Sequence, residues 1–239
     1  MRHYSIPAMV AATISIWSIS AAAYRPFDST DAAVTDRGIL EIELGPLSYL
    51  HGDGGSVWIA PSLVANFGLA DNWEAVLEAD AAHFNGQSQL GGVAASLKGV
   101  LSPGSLQGES GISWATEVSL LLPGIRTEND AGFEWAAIAS HQASWGAFHI
   151  NLGTGLSRDG NGVAFAGVIL EGQERWNVRP VAELRYEREF GAEDEASILL
   201  GLIWKAGETY DIDLAVRHAS VSGRPEDQIR AGLSFALGF

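Results

Sequence analysis

The chain has 239 residues, with 28 Gly, 8 Trp and no Cys, and its 29 acidic and 14 basic side chains give a formal net charge of −15. Without cysteine there is neither a disulfide framework nor a thiolate metal site, and so acidic a chain without basic clusters is a poor partner for nucleic acid. A hydrophobic share of 47% argues against disorder, while a charged share of 18% lies below the roughly 25% of soluble domains. That balance points to a β-rich chain whose outer surface need not face water.

Residues 1–23 read as an export signal. Met1-Arg2-His3 is a short positive start, residues 5–19 carry no charged side chain, and Ala21-Ala22-Ala23 offers small residues at a cleavage site. The run is shorter than the roughly 20 apolar residues of a membrane anchor and is interrupted by Ser and Thr. The mature chain is expected to begin at Tyr24, with an N-terminal segment over 24–37 and a single β domain over 38–239.

From residue 38 a two-residue period replaces any helical one. In chain order the expected strands are 39–50, 56–68, 73–83, 88–101, 110–122, 132–143, 145–156, 163–171, 177–189, 195–205, 208–220 and 227–239. Turn clusters separate them, such as His51-Gly52-Asp53-Gly54-Gly55, Asn85-Gly86, Ser102-Pro103-Gly104 and Asp159-Gly160-Asn161-Gly162. In the first, Leu40, Ile42 and Leu44 alternate with Glu41 and Glu43. The eighth shows no parity. Twelve is an even number, and a membrane strand needs about ten residues, which leaves about seven per connection. The expected fold is all-β: an up-and-down antiparallel transmembrane β-barrel of about 12 strands, reached after a cleaved signal peptide.

Alternation alone does not say which face is wet. Aromatic residues near strand ends, among them Tyr49, Trp58, Phe67, Trp73, Phe84, Trp135, Trp145, Trp204 and Tyr210, suit the girdles of a membrane barrel. The last strand alternates Ile229, Ala231, Leu233, Phe235, Leu237 and Phe239 and ends on that aromatic residue. This ending is common in bacterial outer-membrane barrels, and it makes the barrel-assembly machinery an expected partner through the Phe239 strand. A closed barrel also satisfies every backbone hydrogen bond in lipid.

Short stretches in a telling order carry a resemblance. They are Arg25-Pro26 with Thr30-Asp31, then Gly38 with Glu41 and Glu43, then Phe67-Gly68-Leu69 before Glu74. Later come Gly201-Leu202-Ile203-Trp204, Asp211-Ile212-Asp213-Leu214-Ala215-Val216-Arg217 and Ala231-Gly232-Leu233-Ser234-Phe235. The chain resembles the outer-membrane β-barrels named for the meta-pathway of phenol degradation, often labelled transporters. The final strand is diverged. The resemblance implies a Gram-negative outer-membrane location and passage of small molecules, aromatic ones among them.

If apolar parity faces lipid, the opposite parity lines a lumen. The acidic set is Glu41, Glu43, Glu74, Glu78, Asp80, Glu117, Glu134, Glu183, Glu187, Asp211 and Asp213. The basic set is Lys98, Arg179, Arg185, Lys205, Arg217 and Arg230, and His149 and Asn151 share a face of the seventh strand. Such a wall favours cationic or neutral solutes, unless its charges pair and fill the barrel. The segment from Arg25 to Asp31 is either a periplasmic leader or a lumen plug, with Arg25 the natural partner of a wall carboxylate.

Two other classes stay open: an outer-membrane lipid hydrolase and a structural or surface-binding barrel without transport. Ser140, His149 and Asn151 supply the residue types of a hydrolase, but the His-x-Ser-Asn-Gly run of barrel phospholipases is missing. No catalytic, cofactor or metal set is expected, and the lone His83, His141 and His218 read as rim residues. Lipid and a small solute are the remaining expected partners, and the oligomeric state is open.

Overall fold

The computed structural model describes residues 25–84, 86–125, 130–207 and 210–238. The expected signal peptide, Tyr24 and the terminal Phe239 lie outside the described residues. Twelve strands follow one another: β1 Ile39–Gly52, β2 Gly55–Ala70, β3 Trp73–Phe84, β4 Gln87–Ser102, β5 Ser113–Leu121 and β6 Gly132–Ala143. Then come β7 Gly146–Leu156, β8 Gly162–Gly172, β9 Val178–Glu189, β10 Asp194–Lys205, β11 Tyr210–Val221 and β12 Arg224–Gly238.

Each strand pairs antiparallel with its sequence neighbours, and β1 pairs with β12 to close the barrel. Closure leaves no sheet edge, so no row of unpaired amide groups meets solvent or lipid. The register Ile39↔Gly238 brings the start of β1 and the end of β12 to the same rim.

Several strands are longer, and several connections shorter, than expected. β2 and β4 each run 16 residues, and several hairpins close on two residues, as at Asp71-Asn72 and Ser222-Gly223. In the latter both residues have positive φ, 48° and 82°, the geometry of a turn whose twist matches its strands. The fifth strand starts later than residue 110, because a 3-10 turn at Ser105–Gln107 takes up part of the connection. A bulge between Leu44 and Leu47 accommodates Pro46 in β1 and reverses its parity. Beyond it Ser48 points inward and Leu47 outward.

The barrel is inside out relative to a soluble sandwich. Its outer face carries Leu77 and Leu184, both 60% exposed, with Leu152, Leu200 and Val216 similarly open. Its rims carry exposed Trp58, Trp73, Trp114, Trp145, Trp176 and Trp204. Its interior holds buried Glu, Lys, Arg, Asn and Ser side chains. The largest apolar side chains are thus spent on the surface, and the interior mixes charged and polar side chains with small apolar clusters.

Candidate functional site in the barrel interior

Residues 25–36 lie within the barrel, and Phe27 to Ala32 are buried. Most polar contacts of this segment are answered by inward side chains of the wall. The Arg25 amide donates to Glu43 Oε2 at 2.9 Å, and its guanidinium donates to Asp213 at 3.1 Å and to the Ala231 carbonyl at 3.0 Å. The Asp28 amide donates to Glu183 at 2.7 Å, and its carboxylate takes Arg217 Nε at 2.7 Å and Arg230 Nη1 at 2.6 Å.

Asn151 grips Thr30 twice, accepting its amide at 3.3 Å and donating to its carbonyl at 2.7 Å. Lys98 donates to Thr30 Oγ1 at 3.0 Å and pairs with Asp31 and Glu74, both at 3.4 Å. The Ala32 amide donates to Ser140 Oγ at 2.9 Å, and Gln107 reaches from the 3-10 turn to its carbonyl at 2.9 Å. The Thr35 amide closes the series on Glu74 at 2.7 Å.

These pairs are buried, so desolvation is compensated only by close, multiple contacts. Burial works to raise the carboxyls of Asp28 and Asp31. Arg230, Arg217 and Arg185 outweigh it at Asp28 and hold that group well below the usual carboxylate range. Lys98 likewise helps to hold the Asp31 carboxyl below its ordinary value against the same burial.

The glycines of the wall make room for the segment. A Cβ at Gly232 would lie 2.0 Å from Arg25 Nε, and one at Gly167 would lie 2.2 Å from Ser29 Oγ. On one side of the segment, Asp31 and Ala33 help to wall a vestibule of about 540 Å³, with Glu41, Glu171, Arg179 and Asp211. On the other, Arg25, Pro26 and Phe27 help to wall a cavity of about 80 Å³ with Glu78 and Asp80. The two spaces share no lining residue.

The expected inward residues therefore divide. Glu43, Glu74, Lys98, Asn151, Glu183, Asp213, Arg217 and Arg230 touch the segment directly. Glu117 sits buried opposite Lys98 in the β4–β5 register, and Glu134 is buried on β6. Arg185 pairs with Glu187 on the same face of β9. Glu41, Asp211 and Arg179 line the vestibule, and Glu78 and Asp80 line the smaller cavity. Lys205, at the more open end of β10 and 3.8 Å from Glu174, also lines the vestibule.

Sequence reasoning missed Glu171 and Glu195, both buried. Glu171 stands on β8 beside Val163, Gly167 and Ile169 of the same inward parity, so no polar alternation marks it. Glu195 likewise precedes inward Leu199 and Ile203 on β10. The reason is Phe27, which packs against Ile169, Val181, Leu199, Ile203 and Ala215 and makes that side of the interior apolar.

His149 Nδ1 lies 2.8 Å from Ser140 Oγ, and its Nε2 lies 3.1 Å from Glu171 Oε1. The residue types of a nucleophile, a base and an orienting acid thus meet. Ser140, however, is fully buried and already accepts the Ala32 amide. The chain of bonds faces the interior, away from the apolar outer surface, so it serves as a docking post for the segment. Asn151, weighed as its partner, binds Thr30 instead.

No protein-family model matches the sequence, and no curated protein compared with it matches. Solved structures do match in shape. The fold is that of outer-membrane porins and channels. The NanC porin aligns with a TM-score of 0.60 at 10% identity, over 82% of this chain and 98% of its own. The KdgM porin aligns at 0.57 and 12% identity over the same shares. An outer membrane channel from Pseudomonas putida F1 aligns at 0.57 and 11% identity, over 87% of this chain and 97% of its own.

Proposed function

We propose that this chain is an outer-membrane channel for passive passage of small molecules, and that residues 25–36 close its lumen. One observation carries the reading: the apolar surface is outside and the charged surface inside, with a separate segment threaded through the charged interior. An apolar belt of this kind is stable in hydrocarbon and costly in water. A barrel that merely fills itself with paired side chains needs no separate segment in its interior. Such a segment suits a lumen whose occupant can be exchanged.

The wall is mixed. Lys98 on β4 stands among Glu43, Glu74, Glu117 and Glu134 of β1, β3, β5 and β6, while Glu171, Glu183, Glu195 and Asp213 of β8 to β11 stand among Arg185, Arg217 and Arg230 of β9, β11 and β12. A solute passing through meets both signs of charge on each side, which suits small polar or charged molecules. The shared architecture supports the resemblance to the meta-pathway phenol-degradation barrels, and with it export through residues 1–23. Surrounding lipid and the barrel-assembly machinery, met through the C-terminal strand, complete the proposed partners. The lipid-hydrolase alternative loses support because its only candidate serine faces inward.

The test is conductance. The chain from Tyr24 to Phe239 and a version lacking residues 25–36 are refolded, checked for a heat-sensitive gel shift, and added to planar bilayers. The shortened chain should give larger or more frequent steps. Equal conductance would remove the closing role of the segment. No steps from either verified barrel would overturn the channel reading and leave a structural or surface-binding barrel.

A further inference from the structure

Phe27 and Asp28 are consecutive residues seated on two unlike surfaces of the wall. The Phe27 side chain is 3% exposed and lies among Ile169, Val181, Leu199, Ile203 and Ala215, contributed by β8 to β11. The Asp28 carboxylate beside it bridges Arg217 and Arg230, at 2.7 and 2.6 Å. An inward aliphatic patch is out of place in a charged lumen unless something apolar covers it. The two arginines are also held by wall groups. Arg230 Nε donates to Gln228 at 2.9 Å while its Nη1 donates to the Pro26 carbonyl of the segment at 2.9 Å, and Arg217 pairs with Glu195 and, at 3.7 Å, with Glu226. The cationic half of the site is therefore preorganised in part by the barrel itself.

The geometry points to a solute-binding site on the wall for an aromatic monocarboxylate, with Phe27-Asp28 as its resident mimic: the ring on the aliphatic patch of β8 to β11 and the carboxylate on Arg217 and Arg230. This rests on the reading of residues 25–36 as a removable closure. The chemistry narrows the class. A short aliphatic acid leaves the patch uncovered. A neutral aromatic amide forfeits the ionic hydrogen bonds, and an aromatic amine sets a cation against two guanidinium groups. Glu183, which now accepts the Asp28 amide at 2.7 Å, repels a second negative charge and so disfavours dicarboxylates. A permeant acid that displaces Asp28 thereby loosens the closure at its most buried ionic contact.

Chemical rescue tests it. In the chain from Tyr24 to Phe239, Phe27→Ala with Asp28→Ala vacates both surfaces and keeps the Arg25–Asp213 and Asp31–Lys98 pairs. Thermal unfolding is followed in detergent with benzoate, benzamide or acetate. Benzoate should raise Tm and bind about tenfold or more tighter than either analogue, the margin expected of hydrogen bonds to charged groups against benzamide and of ring burial against acetate. The unsubstituted chain, its site filled, should show no shift at the same concentration. Adding Arg217→Gln and Arg230→Gln should abolish the effect.

Equal response to benzoate and benzamide, or a benzoate response that survives both arginine substitutions, overturns the site. If the double alanine variant does not refold, the chain lacking residues 25–36 takes its place in titration calorimetry with the same three probes, and equal binding overturns the site there as well. Conductance separates the two readings. A segment-dependent conductance without benzoate preference removes the site and leaves the closure standing. Benzoate preference without segment-dependent conductance does the reverse.

Discussion

Lys98 stands between Glu74 and Glu117, its direct partners in the registers of β3 and β5, and meets Asp31 from the segment. Asp28 has the opposite surroundings: Arg217, Arg230 and Arg185 face it, with Glu183 and Glu195 close by. The two aspartates thus lock the segment to cations on opposite sides of the barrel. Their carboxyls are held lower docked than in free chain. A lowered value means that the stabilisation is fully present above the free value of about 3.9, and is lost only as pH falls below it. The contribution of these two pairs to the closure should therefore be lost only below about pH 4, read as a rise in the full chain's conductance there. A rise already near pH 6 would assign the release to another group.

At the scale of elements, β8 and β12 show how a strand can serve the segment it faces. Gly167 and Gly232 lie in extended strands where a side chain would be the rule, and both stand where side chains of the segment approach the wall closely. Valine suits a strand well, so Gly167→Val with Gly232→Val should leave the barrel intact and push the segment out. The expected outcome is an unchanged gel shift with conductance close to that of the chain lacking residues 25–36. Conductance like that of the unsubstituted chain would show that the segment repacks around the added methyl groups. The same reasoning explains why β8 had no legible parity. Its inward positions answer to Phe27 and Ser29, not to water or to their own neighbours.

For the whole molecule, the inverted surface makes lipid part of the fold. Leu214, 55% exposed on β11, lies well inside the belt. Leu214→Arg should cost about 2–4 kcal/mol if its level is the bilayer midplane, measured as the shift in denaturant midpoint on refolding into vesicles, while the same change at a rim position should cost far less. A cost near zero at Leu214 would mean that this face is not in hydrocarbon.

Strand number, strand order in the chain and the inward parity of most strands were legible in the sequence. A two-residue period writes the two faces of a strand directly into alternation, as with Glu41 and Glu43 against Leu40 and Ile42. Closure of β1 on β12, the depth of the segment and the pairing of Arg25 with Asp213, 188 positions away, were decided by the tertiary structure alone. Contacts of that kind leave no local period, because each depends on which wall residue a second, irregular stretch of chain happens to face. Alternation gave most strands one apolar and one polar face; only the folded barrel decided that the inward Ile169, Leu199 and Ile203 gather around one phenylalanine beside two arginines.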